Sequence, residues 1–214
     1  MYLTDEKVTV LGAAGAIGSN VVQTLLASKT AGRIMMYDPF EQGLEGTAEE
    51  VYHCAFPGAD VTWSTDIGEA LTDSAYIITS GGAPRKEGMT REDLRRDNAR
   101  IAEQLGQDIK QHCPSCGFVI IIFNPADITG LTTLLHSGLE PGRVSTLAAL
   151  DSTRLQTALS QHFGVLQDAV TGCRTYGGHG EQMAVFKGGI QVDGVSLDAI
   201  LGGEKVNNVG MSSD

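Results

Sequence analysis

The sequence predicts an α/β protein: a doubly wound parallel sheet over residues 1–150, followed by a second, incomplete α+β domain over residues 151–214. Three observations carry this expectation. Short apolar runs alternate with stretches of helical periodicity, as crossover connections between parallel strands require. A glycine-rich turn joins the first apolar run to the first helical stretch. Beyond Gly164 the apolar runs shorten and are broken by Gly172, Gly177-Gly178, Gly180 and Gly188-Gly189, a pattern of hairpins rather than crossovers.

Val8-Thr9-Val10-Leu11 is the first strand, and Ile17, Val21, Val22, Leu25 and Leu26 share one face of the helix that follows. Arg33 to Tyr37 is the second strand; Leu44, Ala48, Val51, Tyr52 and Ala55 line one side of the second helix. Val61-Thr62-Trp63 and Ala75 to Thr79 are further strands, with a short helical or irregular piece between them around Ile67 to Leu71. A charged loop opens at Gly81-Gly82-Ala83-Pro84, after which Leu94, Asn98, Ile101, Ala102, Leu105 and Ile109 mark a long amphipathic helix. Phe118 to Phe123 has no polar alternation, so both faces are expected to be buried and the run to form a central strand. Val144 to Leu150 is the last strand of the sheet, with Asp151 placed to cap the helix through Arg154, Leu155 and Leu159. The stretch from Gly202 to Asp214 has too little apolar content to close a core.

Of the 214 residues, 42% are hydrophobic and 19% charged, the balance of an ordinary soluble chain. A formal net charge of -11 repels polyanions, which argues against nucleic acid or an anionic membrane surface as partner and leaves the arginines to act locally. No stretch approaches the ~18 apolar residues of a membrane span. The N-terminus, Met1 to Lys7, lacks a basic region followed by an apolar run, and the four cysteines form no disulfide framework. Reduced thiols and a cytoplasmic location are therefore expected. Cys113-Pro-Ser-Cys116 follows a helical pattern instead of opening one and lacks further ligands at zinc spacing, so it reads as a turn; no metal site is expected.

Gly12-Ala13-Ala14-Gly15-Ala16-Ile17-Gly18 lies between the first strand and the first helix, where glycines let backbone N–H groups approach a pyrophosphate at the positive end of the helix. Asp38 ends the second strand twenty positions past Gly18, where a carboxylate can accept hydrogen bonds from an adenosine ribose and repel a 2′-phosphate. Together they predict a Rossmann-type site for NAD in preference to NADP.

The loop from Ser80 to Leu94, with arginines at 85 and 91, resembles the mobile active-site loop of malate dehydrogenases in the lactate/malate dehydrogenase family. The likeness continues through Asn124-Pro125-Ala126-Asp127, Asp151-Ser152-Thr153-Arg154 and Gly177-Gly178-His179-Gly180, and covers residues 7 to about 201. Two positions depart from it: Glu87, where many relatives have proline, and Gly180-Glu181, where many have serine after the histidine. The resemblance implies NAD-dependent interconversion of malate and oxaloacetate, a step of the tricarboxylic acid cycle. Arg85 would grip the distal carboxylate, Arg91 the reacting oxygen and Arg154 the proximal carboxylate. Asn124 would lie near the nicotinamide and the substrate oxygen, and His179, oriented by Asp151, would exchange the proton. Gly81, Asn98 and Ile122 would join Gly12, Gly15, Ala16, Ile17, Gly18, Asp38 and Asn124 in contacting the cofactor. Family members form dimers or tetramers, so a homo-oligomer is expected, and they continue well beyond residue 201, so this chain reads as shortened at its C-terminus.

The physical chemistry agrees, since a guanidinium pairs bidentately with a carboxylate and a cation beside a developing alkoxide lowers the barrier. A lactate-type 2-hydroxy acid dehydrogenase is the alternative enzyme, distinguished by an uncharged side chain at the position of Arg85. A nucleotide-binding module that holds NAD without turnover is the alternative outside the enzymes. His53, His112, His136 and His162 match no motif and read as helix-end or surface residues.

Overall fold

The first apolar run sits at the centre of a sheet because both of its faces are needed. In strand β1 (Thr4–Leu11), Val8 and Val10 join a buried cluster with Val22, Leu26, Ile34, Met36 and Leu44, while Leu11 joins another with Ile77, Ala102, Ile109 and Val119. Thr9 is polar yet fully buried, and its hydroxyl is satisfied by the Ala70 carbonyl at 3.0 Å and by Ser74 Oγ at 2.6 Å. The computed structural model describes residues 1–83, 88, 90–178 and 182–202, and these fall into two units, Met1–Leu147 and Ala148 onward.

The first unit runs from β1 through α1 (Ala16–Ala27), β2 (Ala31–Tyr37), α2 (Glu41–His53), β3 (Asp60–Ser64), α3 (Ile67–Leu71), β4 (Tyr76–Thr79), α4 (Arg91–His112), β5 (Phe118–Ile121), α5 (Ala126–Ser137) and β6 (Val144–Thr146). Its strands are all parallel in the order β3-β2-β1-β4-β5-β6, the doubly wound arrangement with a topological switch between β1 and β4. Helices α1 and α2 bury Val22, Leu26, Leu44, Ala48 and Val51 in one of the two clusters; α4 buries Ala102, Leu105 and Ile109 in the other.

Four local expectations are corrected. Phe118 to Phe123 is not the central strand: β5 lies one place from the sheet edge, beyond it stands only three-residue β6, and Phe118 and Ile120 are half-buried while Val119 and Ile121 are fully covered. Strand β6 ends at Thr146 rather than continuing to Leu150, and Asp151 is not an N-cap, since the helix there starts at Leu150 and Asp151 falls inside its first turn. Ala55 lies past the end of α2 with a positive φ of 48°, so it does not extend that helix's apolar face.

Cys113 and Cys116 bound a turn at the end of α4, closed by the Cys116 N–H on the Cys113 carbonyl at 3.0 Å. Both thiols are free and buried, and burial pushes Cys116 up to about 12, so neither is a thiolate nucleophile at neutral pH. No helix among the described residues is long and apolar enough to cross a membrane.

Helix α2 offers a test of these assignments. A Cβ at Gly46 meets nothing within 4 Å. Gly46→Ala is therefore expected to raise unfolding stability by about 0.5–1 kcal/mol through helix propensity alone. Urea denaturation measures it, and a loss of stability would show that α2 is not a regular helix at this position.

The second unit opens with α6 (Leu150–Phe163) and continues as pairs of residues in extended backbone. β7 (Val170–Thr171), β10 (Gln191–Val192) and β11 (Val195–Ser196) form an antiparallel sheet in the order β11-β10-β7. β8 (Thr175–Tyr176) and β9 (Ala184–Val185) form a separate hairpin, and α7 (Leu197–Leu201) follows. Its core is small, built on Phe163, Val170, Ile190, Val192 and Leu197.

Candidate active site

The carboxyl ends of parallel strands leave a crevice where helices on opposite faces diverge, and ligands of such sheets bind there. At the end of β1, Gly12 adopts φ +82° and its N–H, with that of Ala13, bonds the Tyr37 carbonyl at 2.9 and 3.0 Å, fastening the glycine turn to the end of β2. A Cβ on Gly12 would lie 2.8 Å from the backbone nitrogen of Gly81, so the turn after β1 and the loop after β4 touch with no room for a side chain. A Cβ on Gly18 would overlap the Gly12 carbonyl oxygen.

Helix α1 has Gly15 as its N-cap, so it has no side-chain cap, and no acidic residue stands in its first turn; Gly15, Ala16 and Ile17 are exposed. Its first N–H groups thus face outward beside a cradle that a Cβ would fill, as a bound pyrophosphate requires. Asp38 stands next to this turn. Its Oδ2 accepts from the Ala14 N–H at 3.2 Å and its Oδ1 from the Phe40 N–H at 3.0 Å, which aims the carboxylate and leaves lone pairs for ribose hydroxyls. These residues fit the dinucleotide that the sequence predicts.

On the other side of the switch, Gly81 is exposed and Ala83 donates its N–H to Asn98 Oδ1 at 2.7 Å. Asn98 Nδ2 in turn donates to the Asn124 carbonyl at 2.6 Å, just past β5, where Asn124 is exposed and joined to Pro125 by a cis peptide. Ile122 is held at the end of β5 by its N–H on the Thr79 carbonyl at 2.9 Å. The structure therefore gathers Gly12, Gly15, Ala16, Ile17, Gly18, Asp38, Gly81, Ile122 and Asn124 at one edge of the sheet, with Asn98 behind them at 2% exposure.

Arg85 lies outside the described residues, as does the side chain of Arg91, the first residue of α4. That helix start is fixed by a capping box absent from the sequence expectations: Thr90 Oγ1 accepts from the Asp93 N–H at 3.1 Å, and Asp93 Oδ2 accepts from the Thr90 N–H at 3.1 Å and from its hydroxyl at 2.6 Å. The Thr90 hydroxyl and N–H hold the Asp93 carboxyl below its usual range. The signal was in the sequence as Thr90-Arg91-Glu92-Asp93, directly ahead of Leu94, where the amphipathic run begins.

In the second unit, Asp151 Oδ1 accepts from Arg154 Nη1 at 3.1 Å, so the two predicted residues of that motif are brought together within one helical turn. Asp151 is mostly covered and Arg154 more than half exposed, which leaves the guanidinium donors available. Ser152, which no sequence motif singles out, accepts the Thr175 N–H on Oγ at 3.0 Å and thereby ties β8 to the same turn. His179, four residues beyond Thr175, lies outside the described residues.

The family model for the lactate/malate dehydrogenase NAD binding domain matches residues 6–146. A malate dehydrogenase from Picrophilus torridus is 32% identical over 216 aligned residues, covering 97% of this chain and 65% of its own length. The crystal structure of Cryptosporidium parvum malate dehydrogenase is 29% identical with a TM-score of 0.83, over 96% of this chain and 66% of that one. A lactate dehydrogenase from the same organism, solved with lactic acid and nicotinamide adenine dinucleotide, is 30% identical with a TM-score of 0.82, over 93% and 62%. The chain thus spans about 65% of the length of the curated relatives it matches. The matched segment ends with β6 and takes in the six-stranded sheet but for the first two residues of β1, with the glycine turn, Asp38 and the Asn98 link. With its NAD binding domain at residues 6–146, the chain belongs to the lactate/malate dehydrogenase family.

Proposed function

We propose that this chain acts as an NAD-dependent malate dehydrogenase, interconverting malate and oxaloacetate. One observation carries the reading: the uncapped glycine turn and Asp38 face the same edge of the sheet from which the arginine-bearing loop departs. Overall likeness does not choose the substrate, since relatives named malate and lactate dehydrogenase are 29% and 30% identical. Arg85 does. A monocarboxylate offers no second anion for a guanidinium at that position, whereas a dicarboxylate does.

Gly12, Gly15, Gly18 and the N-terminus of α1 would hold the pyrophosphate, and Asp38 the ribose. Bound there, NAD supplies the acceptor for the hydride that leaves the alcohol carbon. Arg154 and Arg85 bind the two carboxylates and fix the carbon's orientation, Arg91 stabilises charge on the oxygen, and Asn124 bonds the same oxygen. His179, neutral in malate oxidation, takes the hydroxyl proton; in the reverse direction its imidazolium returns it. Asp151 accepts from the other ring nitrogen, which selects the tautomer and stabilises the cation. The free thiols fit a reducing, cytoplasmic setting, the proposed reaction is a step of the tricarboxylic acid cycle, and family relationship supports a homo-oligomer.

The test is NADH formation by the 214-residue chain with malate, with lactate as control. Malate is expected to support turnover and lactate not. Arg85→Gln should lower kcat/KM for malate by about 100- to 1000-fold, the loss of one charge-assisted pair with its partner anion left desolvated, without changing NADH affinity. Equal use of lactate would overturn the substrate assignment. NADH binding with neither substrate consumed would replace the enzyme reading by a nucleotide-binding module.

A further inference from the structure

We infer that Ser152 is a positioning residue: bonded across the chain to Thr175 of β8, its hydroxyl fastens the uncapped start of α6, the turn that carries Asp151 and Arg154. The kinetic consequence rests on the dehydrogenase reading proposed above; the geometry does not. Helix α6 follows Ala149, whose side chain offers no acceptor to the first N–H groups. Such a helix start frays unless another contact ties it down. Ser152 supplies one: its Oγ takes the Thr175 N–H at 3.0 Å and meets Thr175 Oγ1 at 3.2 Å.

The other hydroxyls of α6 turn back on their own chain. Thr153 donates to the Ala149 carbonyl at 3.4 Å, Thr157 to that of Thr153 at 3.0 Å and Ser160 to that of Thr157 at 2.9 Å. Ser152 instead shares a helix face with Leu155, Gln156 and Leu159, at i, i+3, i+4 and i+7. Leu155 and Leu159 pack there against the core of Phe163, Val170 and Ile190. Gln156 Nε2 donates to the Gln167 and Val170 carbonyls at 2.9 and 2.7 Å. From Leu155 onward the face is thus held by a core and two hydrogen bonds, and in the turn before it Ser152 takes over that task. Asp151 and Arg154, paired at 3.1 Å, flank Ser152 in that turn, so the link to Thr175 bears on where the Arg154 guanidinium meets a carboxylate.

Three variants of the full chain test this. Ser152→Ala removes the acceptor, so amide exchange at Thr175 should quicken about tenfold or more. With the turn loosened, the KM for malate should rise about 5- to 10-fold through misplacement of Arg154, while kcat changes less than about threefold. NADH affinity should hold, since the groups fitted to the nucleotide belong to Met1–Leu147. Ser152→Thr keeps the hydroxyl and should bring exchange and KM back to within about twofold of wild type. A serine that served stability alone would leave KM untouched, because partial unfolding removes active molecules and lowers only the apparent kcat.

Unaltered Thr175 exchange in Ser152→Ala would overturn the inference, as would a wild-type KM in that variant or a Ser152→Thr chain no better than Ser152→Ala. If Ser152→Ala does not fold, Ser152→Cys decides: its sulfur is a weak acceptor, so exchange should quicken and KM rise, and wild-type values of both would overturn the inference. If the chain turns over lactate and not malate, the substrate reading falls, and the same contrast in KM is read on lactate, whose carboxylate is the one proposed for Arg154. If neither reacts, the functional reading falls separately, and Thr175 exchange still decides whether Ser152 fastens the turn.

Discussion

Gly18→Ala is expected to cut NADH affinity at least about 100-fold and to destabilise the first unit by about 1–3 kcal/mol. The added Cβ would overlap the Gly12 carbonyl oxygen and lie 2.7 Å from its carbon and 2.8 Å from Ala13 Cα, all backbone atoms with no rotamer to change. Relief would need the glycine turn to move. Gly12 cannot retreat, because it already stands against Gly81 across the β1/β4 switch with no room for a Cβ of its own. The strain is therefore passed to the loop after β4, and through Ala83 to Asn98. Gly15 is the internal comparison: a Cβ there meets only the Gly12 oxygen at 3.3 Å, a contact a few tenths of an ångström can relieve. Fluorescence titration with NADH and thermal unfolding of Gly18→Ala and Gly15→Ala measure the contrast. Equal effects at the two positions would mean that close backbone approach at Gly18 does not shape the cradle.

The order of elements was legible because each depends on neighbours in sequence. Val8 to Leu11, the glycine turn and Ile17 to Leu26 announce strand, turn and helix by periodicity alone. What failed was placement across the sheet. The unbroken apolar run at Phe118 to Phe123 predicts two covered faces, but coverage of the second face depends on what lies beyond the edge strand, and β6 is three residues long. Asp151 was misjudged as a cap because an acidic residue at a helix start serves equally as N-cap or as first-turn carboxylate, and the Arg154 guanidinium three residues on decides for the second.

The site was legible in its chemistry and not in its wiring. Gly12, Gly18 and Asp38 carry their roles in spacing, since each acts on backbone close by in the chain or at the end of the next strand. Asn98 does not: its partners lie 15 residues before it and 26 after it, and nothing in a helical apolar face signals that one polar member is bonded at both ends. Ser152 is the same kind of case, holding Thr175 across 23 residues. Sequence motifs report groups that meet a ligand; hydrogen bonds to residues distant in the chain leave no motif.

For the proposed malate oxidation, changing His179 to asparagine is expected to lower kcat by roughly 10³- to 10⁴-fold while leaving NADH binding intact. The groups fitted to the nucleotide, from Gly12 to Asn124, belong to the Met1–Leu147 unit, and His179 does not. Loss of proton transfer should therefore separate cleanly from loss of cofactor affinity, the reverse of the Gly18→Ala result. An asparagine amide cannot accept the hydroxyl proton, so the alcohol must lose hydride with no base to relieve the charge left on oxygen. Asp151→Asn should follow with a smaller fall in kcat, because the imidazole remains but an amide can stabilise the wrong tautomer. It should also raise the KM for malate, because Arg154 loses the carboxylate that orients it at 3.1 Å, and that second effect is absent from His179→Asn. Steady-state kinetics beside NADH titration distinguish the two variants. A His179→Asn chain that kept more than about a tenth of wild-type turnover would move the proton acceptor to another residue.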